Sequence, residues 1–190
     1  MTRSSDETVV VLNPESGSGS HGATVRQQAH RLGYTVAETG TDGDAVTLAA
    51  AAAQRGVETL VAAGGDGTVN EAVRGIRRAD AFDRVTLGVV PVGTGNNFAK
   101  QLGITDVATA FDVVESGERR RLDLGRANGH LFVNSCVAGL TADSSSRTSP
   151  AMKQRLGVLA YVVTTLRTVS DFESLRLTVA IDGREGATPA

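Results

Sequence analysis

Glu58-Thr59-Leu60-Val61-Ala62-Ala63-Gly64-Gly65-Asp66-Gly67-Thr68-Val69-Asn70-Glu71 passes from an apolar strand into three glycines in four positions, and then without a break into a helix-compatible segment. Glycines after a buried strand let the backbone turn sharply and bring N–H groups up to a ligand without interference from Cβ atoms. The start of the following helix adds free donors and positive potential, so the whole reads as a phosphate cradle. Asp66 is out of place there, because an acid repels phosphate unless it holds a ribose hydroxyl or, directly or through water, a Mg²⁺ ion. The plainer reading is a tight strand–helix turn whose Asp or Thr caps the helix.

Upstream and downstream of this run the same alternation recurs. Thr8–Leu12, Tyr34–Glu38, Glu58–Ala62 and Val85–Val90 are rich in β-branched or apolar residues, as strands buried on both faces of a parallel sheet must be. Gly22–Leu32, Asp44–Arg55 and Val69–Arg78 are the intervening helices; the second is alanine-rich and close-packing, with Asp44 as its expected N-cap. The sum is an α/β doubly wound parallel sheet whose ligands bind beyond the strand C-termini. Strand four enters a second loop of the same kind, Pro91-Val92-Gly93-Thr94-Gly95-Asn96-Asn97-Phe98-Ala99-Lys100. There Thr94 can donate to a phosphate, Asn96 or Asn97 can fix the loop, and Asn97 alternatively caps the next helix. Gly17-Ser18-Gly19-Ser20-His21-Gly22 fits GxGxxG, and Glu38 stands where a ribose-binding acid belongs. Asn13-Pro14-Glu15-Ser16 nevertheless separates strand one from the first glycine, whereas a dinucleotide fingerprint needs that glycine at the turn itself. A P-loop is excluded, because Ala23 occupies the lysine position.

Beyond Phe98 the pattern changes. Thr105–Ser116 is helical, and Arg119–Arg126 and His130–Val137 are expected as paired strands around Ala127-Asn128-Gly129-His130. Ser144–Pro150 is a loop and Met152 to Ser170 a helix; Leu175–Ile181 is a strand that meets Asp182-Gly183, a hairpin signal with no strand pattern in Arg184–Ala190. The expected division is an α/β unit over 1–126 and an incomplete β-rich unit over 127–190. With 190 residues and 41% hydrophobic content the chain can bury roughly 70% of its unfolded surface without metal or disulfide support. Nineteen basic against 21 acidic side chains, net charge −2, give no field for nucleic acid. The single cysteine, Cys136, reads as a small buried hydrophobe and forms no intrachain disulfide, and no Cys/His cluster has zinc spacing. The polar start, Met1 to Thr8, is no signal peptide, and no apolar run reaches the ~20 residues of a transmembrane helix. The expected location is cytoplasmic. His21, His30 and His130 have no evident partners in sequence. Arg119-Arg120-Arg121 reads as a solvated strand start or as an attractor of anionic lipid headgroups.

Asn13-Pro14-Glu15-Ser16-Gly17, Gly64 through Glu71 and Pro91 through Ala99, in that order and spacing, resemble the catalytic domain of diacylglycerol kinases and related lipid kinases. The resemblance runs from about Thr8 to Gly139. Leu122-Asp123-Leu124-Gly125 and Phe132-Val133-Asn134 are similar to the segment where these kinases enter a β-rich second domain. It implies ATP and Mg²⁺ as cofactors, with Asn13 and Thr39 on the nucleotide. Gly64, Gly65, Asp66, Gly67, Thr68, Val69, Asn70 and Glu71 fall on its phosphates and ribose, and Gly93, Thr94 and Asn97 on the second phosphate-side loop. Asp66 and Asp123 are the candidate catalytic acids. The family usually carries an acid where this sequence has Asn97, and its members continue to a later Asp-Gly segment that supplies the base. The implied activity is transfer of the ATP γ-phosphoryl group to a hydroxyl of diacylglycerol or a similar lipid, with transient membrane-surface contact and a homodimer left open. Because GGDGT is shared with NAD kinases, an NAD kinase-like enzyme is the second reading. A truncated ATP-binding remnant without turnover is the third.

Overall fold

The structure is a computed structural model of the whole chain and is described for residues 8–41, 43–135, 176–181 and 184–189; for the last two segments only the backbone is described. The expected loop at 144–150, the helix at 152–170, Cys136 and the Asp182-Gly183 turn lie outside these residues.

Four parallel strands, β1 (Thr8–Leu12), β2 (Thr35–Glu38), β3 (Thr59–Gly64) and β4 (Thr86–Pro91), form one sheet in the order β2-β1-β3-β4. β1 and β3 are buried at every position, as their unbroken apolar runs require. The crossovers are α1 (Gly22–Arg31), α2 (Asp44–Gln54) and α3 (Asp66–Arg78). The chain moves from β1 to β2 in one direction and from β3 to β4 in the other. Right-handed crossovers therefore place α1 on one face and α2 with α3 on the opposite face. α2 and α3 come together through small residues: a Cβ on Gly75 would lie 2.5 Å from the Val46 carbonyl oxygen and 2.6 Å from Ala49 Cβ. This explains the alanine run of α2, in which Ala45, Ala49, Ala52 and Ala53 are fully buried. α4 (Asn97–Gln101) and α5 (Val107–Ser116) follow β4. Asp106 caps α5 by accepting from the Thr109 N–H at 2.9 Å.

The expected elements of the α/β unit are all present, with shifted ends. α3 starts at Asp66 rather than Val69, so half of the expected glycine loop is the first turn of the helix. Asp44 is not the N-cap of α2; it lies in the first turn and its carboxylate accepts from the Gly40 and Thr41 N–H groups, closing the preceding loop. The expected strand Arg119–Arg126 is a strand only as β5 (Gly125–Ala127), because the three arginines and Leu122 find no ladder partner. It pairs with β6 (His130–Phe132), which is shorter than the expected His130–Val137. Asn128 and Gly129 connect them with φ of 48° and 82°, as a two-residue hairpin demands. A further correction concerns 184–190. β7 (Arg176–Ile181) is answered by β8 (Arg184–Pro189) in antiparallel register, Ile181 opposite Arg184. The hairpin closes because its ladder is made by main-chain groups, so weak strand propensity in Arg184–Pro189 does not prevent it.

Two compact units divide the chain, Met1–Ser135 and Cys136–Ala190. The first thus holds the whole β5–β6 hairpin.

Candidate functional site

All four strands of the parallel sheet end on the same side, and the residues just past each end line one cleft of about 300 Å³. β1 contributes Asn13, Ser16 and Gly17; β2 contributes Thr39 and Thr41; β3 contributes Gly65, Gly67, Thr68 and Glu71; β4 contributes Gly93 and Thr94. Strand order reverses between β1 and β3, and in open α/β sheets that switch point is where ligands sit.

Each wall has its own support. Asn13 is fixed by its N–H to the Ala63 carbonyl, accepts from the Glu15 N–H at 3.1 Å and donates to Thr68 Oγ1 at 3.4 Å. Gly17 has φ of 66°, and a Cβ there would lie 2.4 Å from the Val92 carbonyl oxygen, so the β1 loop rests directly on the β4 loop. Thr39 is held by its N–H to the Leu12 carbonyl. No side chain caps α3, whose preceding residue Gly65 is extended. The N–H groups of its first turn have no intrahelical acceptors and supply donors and positive potential where Gly65, Gly67 and Thr68 line the cleft.

The second loop behaves differently. Asp66 sends its carboxylate across to α4, accepting from the Asn97 N–H at 3.0 Å and the Phe98 N–H at 2.9 Å. Asn97 is therefore not the cap of α4; Asp66 is. Asn96 stands before the helix with φ of 52° and binds both main-chain groups of Gly93.

Of the residues singled out in the sequence, Asn13, Thr39, Gly65, Gly67, Thr68, Glu71, Gly93 and Thr94 line this one cleft. Gly64, Asp66, Val69, Asn70 and Asn97 do not line it: Gly64 ends β3 beside Thr68, Val69 is buried, and Asn97 is exposed. Asp123 does not line this cleft. It lines a groove of about 1140 Å³ along β4, together with Arg119, Arg120 and Arg121. The four exposed large hydrophobic side chains among the described residues, Phe82, Leu102, Val113 and Leu122, line that groove too. Glu38, the apparent ribose acid of the GxGxxG reading, is engaged by the Arg26 guanidinium at 2.6 and 2.8 Å; this bond holds its carboxyl below the usual range. The cleft also contains Thr41, which the sequence reading missed. Its signal was available, as a second hydroxyl just past the end of a parallel strand.

No lysine or arginine lines the cleft among the described residues, so charge on a bound anion would be met by main-chain donors and hydroxyls. Nor do three His, Cys, Asp or Glu side chains gather there to cage a metal. A Mg²⁺ ion borne by a nucleotide needs no such cage, since it keeps waters and takes phosphate oxygens with one or two carboxylates. Glu71 is the carboxylate that lines the cleft. No described helix is long and apolar enough to cross a membrane.

Residues 7–127 match the diacylglycerol kinase catalytic domain. A diacylglycerol kinase from Bacillus subtilis (strain 168) is 36% identical over 182 residues, which are 92% of this chain and 59% of that protein. One from Staphylococcus saprophyticus is 33% identical over 181 residues, 92% of this chain and 57% of the relative. The chain therefore spans less than two-thirds of the length of these relatives. A crystal structure of a diacylglycerol kinase from Bacillus anthracis str. Sterne superposes with a TM-score of 0.70 at 25% identity, covering 97% of this chain and 62% of that one.

Proposed function

Because this chain belongs to the diacylglycerol kinase catalytic domain family, we propose that its cleft binds ATP and presents the γ-phosphoryl group to a hydroxyl of diacylglycerol or a similar lipid. The observation that carries this reading is the meeting of four strand ends around the uncapped N-terminus of α3.

The roles follow from chemistry. Main-chain N–H groups of α3's first turn and the Thr68 hydroxyl hold phosphate oxygens, fixed in place by β3 and by Asn13. Thr94 approaches from the opposite wall. Thr39 and Thr41, one strand away, suit the hydroxyls of the nucleoside. Glu71 would help to hold a Mg²⁺ ion carried in with the nucleotide, and that ion would supply charge neutralisation at the phosphates. In such a site the protein's work is positioning and electrostatic neutralisation. Asp66 serves it by tying the α3 turn to α4. The groove along β4, with its apolar side chains and three adjacent arginines, is the face we assign to the lipid surface.

The test is transfer of ³²P from γ-labelled ATP with Mg²⁺, run in parallel on diacylglycerol vesicles and on NAD. We expect label in the lipid phase. Label on NAD would replace the reading by an NAD kinase, and ATP binding without transfer to either acceptor would leave a binding module only.

A further inference from the structure

The two glycine loops meet at a point where no side chain fits: a Cβ on Gly93 would come within 2.3 Å of Gly65 Cα. Gly93 is also bonded from within its own loop. The Gly93 N–H donates to Asn96 Oδ1 at 2.9 Å, and Asn96 Nδ2 donates to the Gly93 carbonyl at 2.7 Å. One carboxamide thus satisfies both main-chain polar groups of one residue. It reaches them because Asn96 adopts φ 52°, ψ 39°, a left-handed conformation that asparagine tolerates better than most residues with a Cβ. The next two N–H groups, of Asn97 and Phe98, are taken by Asp66. At these three positions the β4 loop spends its donors on the protein itself, while the first turn of α3 has no side-chain cap.

We propose that Asn96 is a positioning residue, splinting Gly93 against Gly65 so that the opening of the cleft matches the polyphosphate which the α3 turn binds. The proposal rests on the nucleotide reading of the cleft. It assigns no contact between Asn96 and the ligand. Its effect reaches the phosphates through Gly93, and the adenosine end of the cleft, at Thr39 and Thr41, lies beyond it.

Two variants separate this role from general stability. Asn96→Gly keeps the left-handed backbone without strain and removes the carboxamide; Asn96→Asp keeps the acceptor and loses the donor. Amide hydrogen exchange and ¹⁵N NMR titration with ATP–Mg²⁺ and with adenosine are run on the full chain. The Gly93 amide should be protected in the wild type and released in Asn96→Gly. ATP affinity should fall roughly tenfold in Asn96→Gly and less in Asn96→Asp, with adenosine affinity unchanged. Free exchange of the Gly93 amide in the wild type would overturn the splint. So would Asn96→Gly binding ATP as tightly as the wild type, or losing ATP and adenosine affinity alike. Failure of the wild type to bind ATP would instead count against the nucleotide reading, and Gly93 exchange would then judge the splint alone.

Discussion

Asp66 stands within the most legible motif of the sequence, yet its partners are two N–H groups 31 and 32 residues away. The residue types near Gly64–Glu71 predict a loop that binds phosphate; they carry no information on where a carboxylate in that loop points. Asn96 was half legible: the sequence offered it or Asn97 as the residue that fixes the loop, but its left-handed φ follows from the contacts of its side chain and not from its neighbours in sequence. Glycine positions were more transparent, since Gly17 and Gly93 answer to steric demands that no other residue meets. Asp66→Ala should cost about 1 kcal/mol of stability as the cap of α4 is lost. On the proposed function, phosphoryl transfer should fall at least a hundredfold, roughly what a 1 Å misplacement of a positioning element costs. Urea unfolding and the labelled-ATP assay measure the two effects, and undiminished turnover would remove Asp66 from the mechanism.

At the level of elements, the β-branched and apolar runs located every strand of the parallel sheet to within two residues; β1 and β3 are buried throughout as expected, whereas the edge strand β2 is half-exposed. α4 was harder: five residues are too few for periodicity, and the helix exists through a cap supplied from another loop. β8 escaped because its pairing is a property of the backbone. The α2–α3 contact makes a sharp prediction. Gly75→Val places branched carbon where Val46 and Ala49 already stand, and should destabilise the unit by about 1–3 kcal/mol in urea unfolding, with the m-value unchanged. Acid should act on the loops and caps. Bonds from the Thr109 N–H to Asp106, and from the Thr41 and Gly40 N–H groups to Asp44, hold both carboxyls below their ordinary values. A carboxyl depressed in the folded state contributes stability above its unfolded pKa of about 3.9, and loses it as pH falls through the folded value. Stability should therefore decline below roughly pH 4. Asp106→Ala and Asp44→Ala should each flatten that decline in a series of urea midpoints, and an unaltered profile would remove these carboxylates from the acid response.

On the scale of the molecule, the first unit presents two unlike surfaces: a small polar cleft over the switch point of the sheet and a larger, partly apolar groove along β4. The alternation of strands and helices announced the first. The second depends on Phe82, Leu102, Val113 and Leu122, which are scattered through the sequence and come together only in the fold. If this groove meets a lipid surface, replacing Arg119, Arg120 and Arg121 by alanine should weaken sedimentation with anionic vesicles more than tenfold at low salt, with a smaller loss at high salt. Equal binding by the variant would detach the groove from that role. Sheet order also has a consequence during synthesis. β1 is buried entirely and pairs with β3, Thr8 beside Thr59, so its apolar residues have one edge unmatched until 51 further residues have left the ribosome. At usual elongation rates this takes on the order of three to ten seconds. For that time Val9-Val10-Val11-Leu12 is an apolar nascent segment short of one ladder partner, which it gains only when β3 emerges.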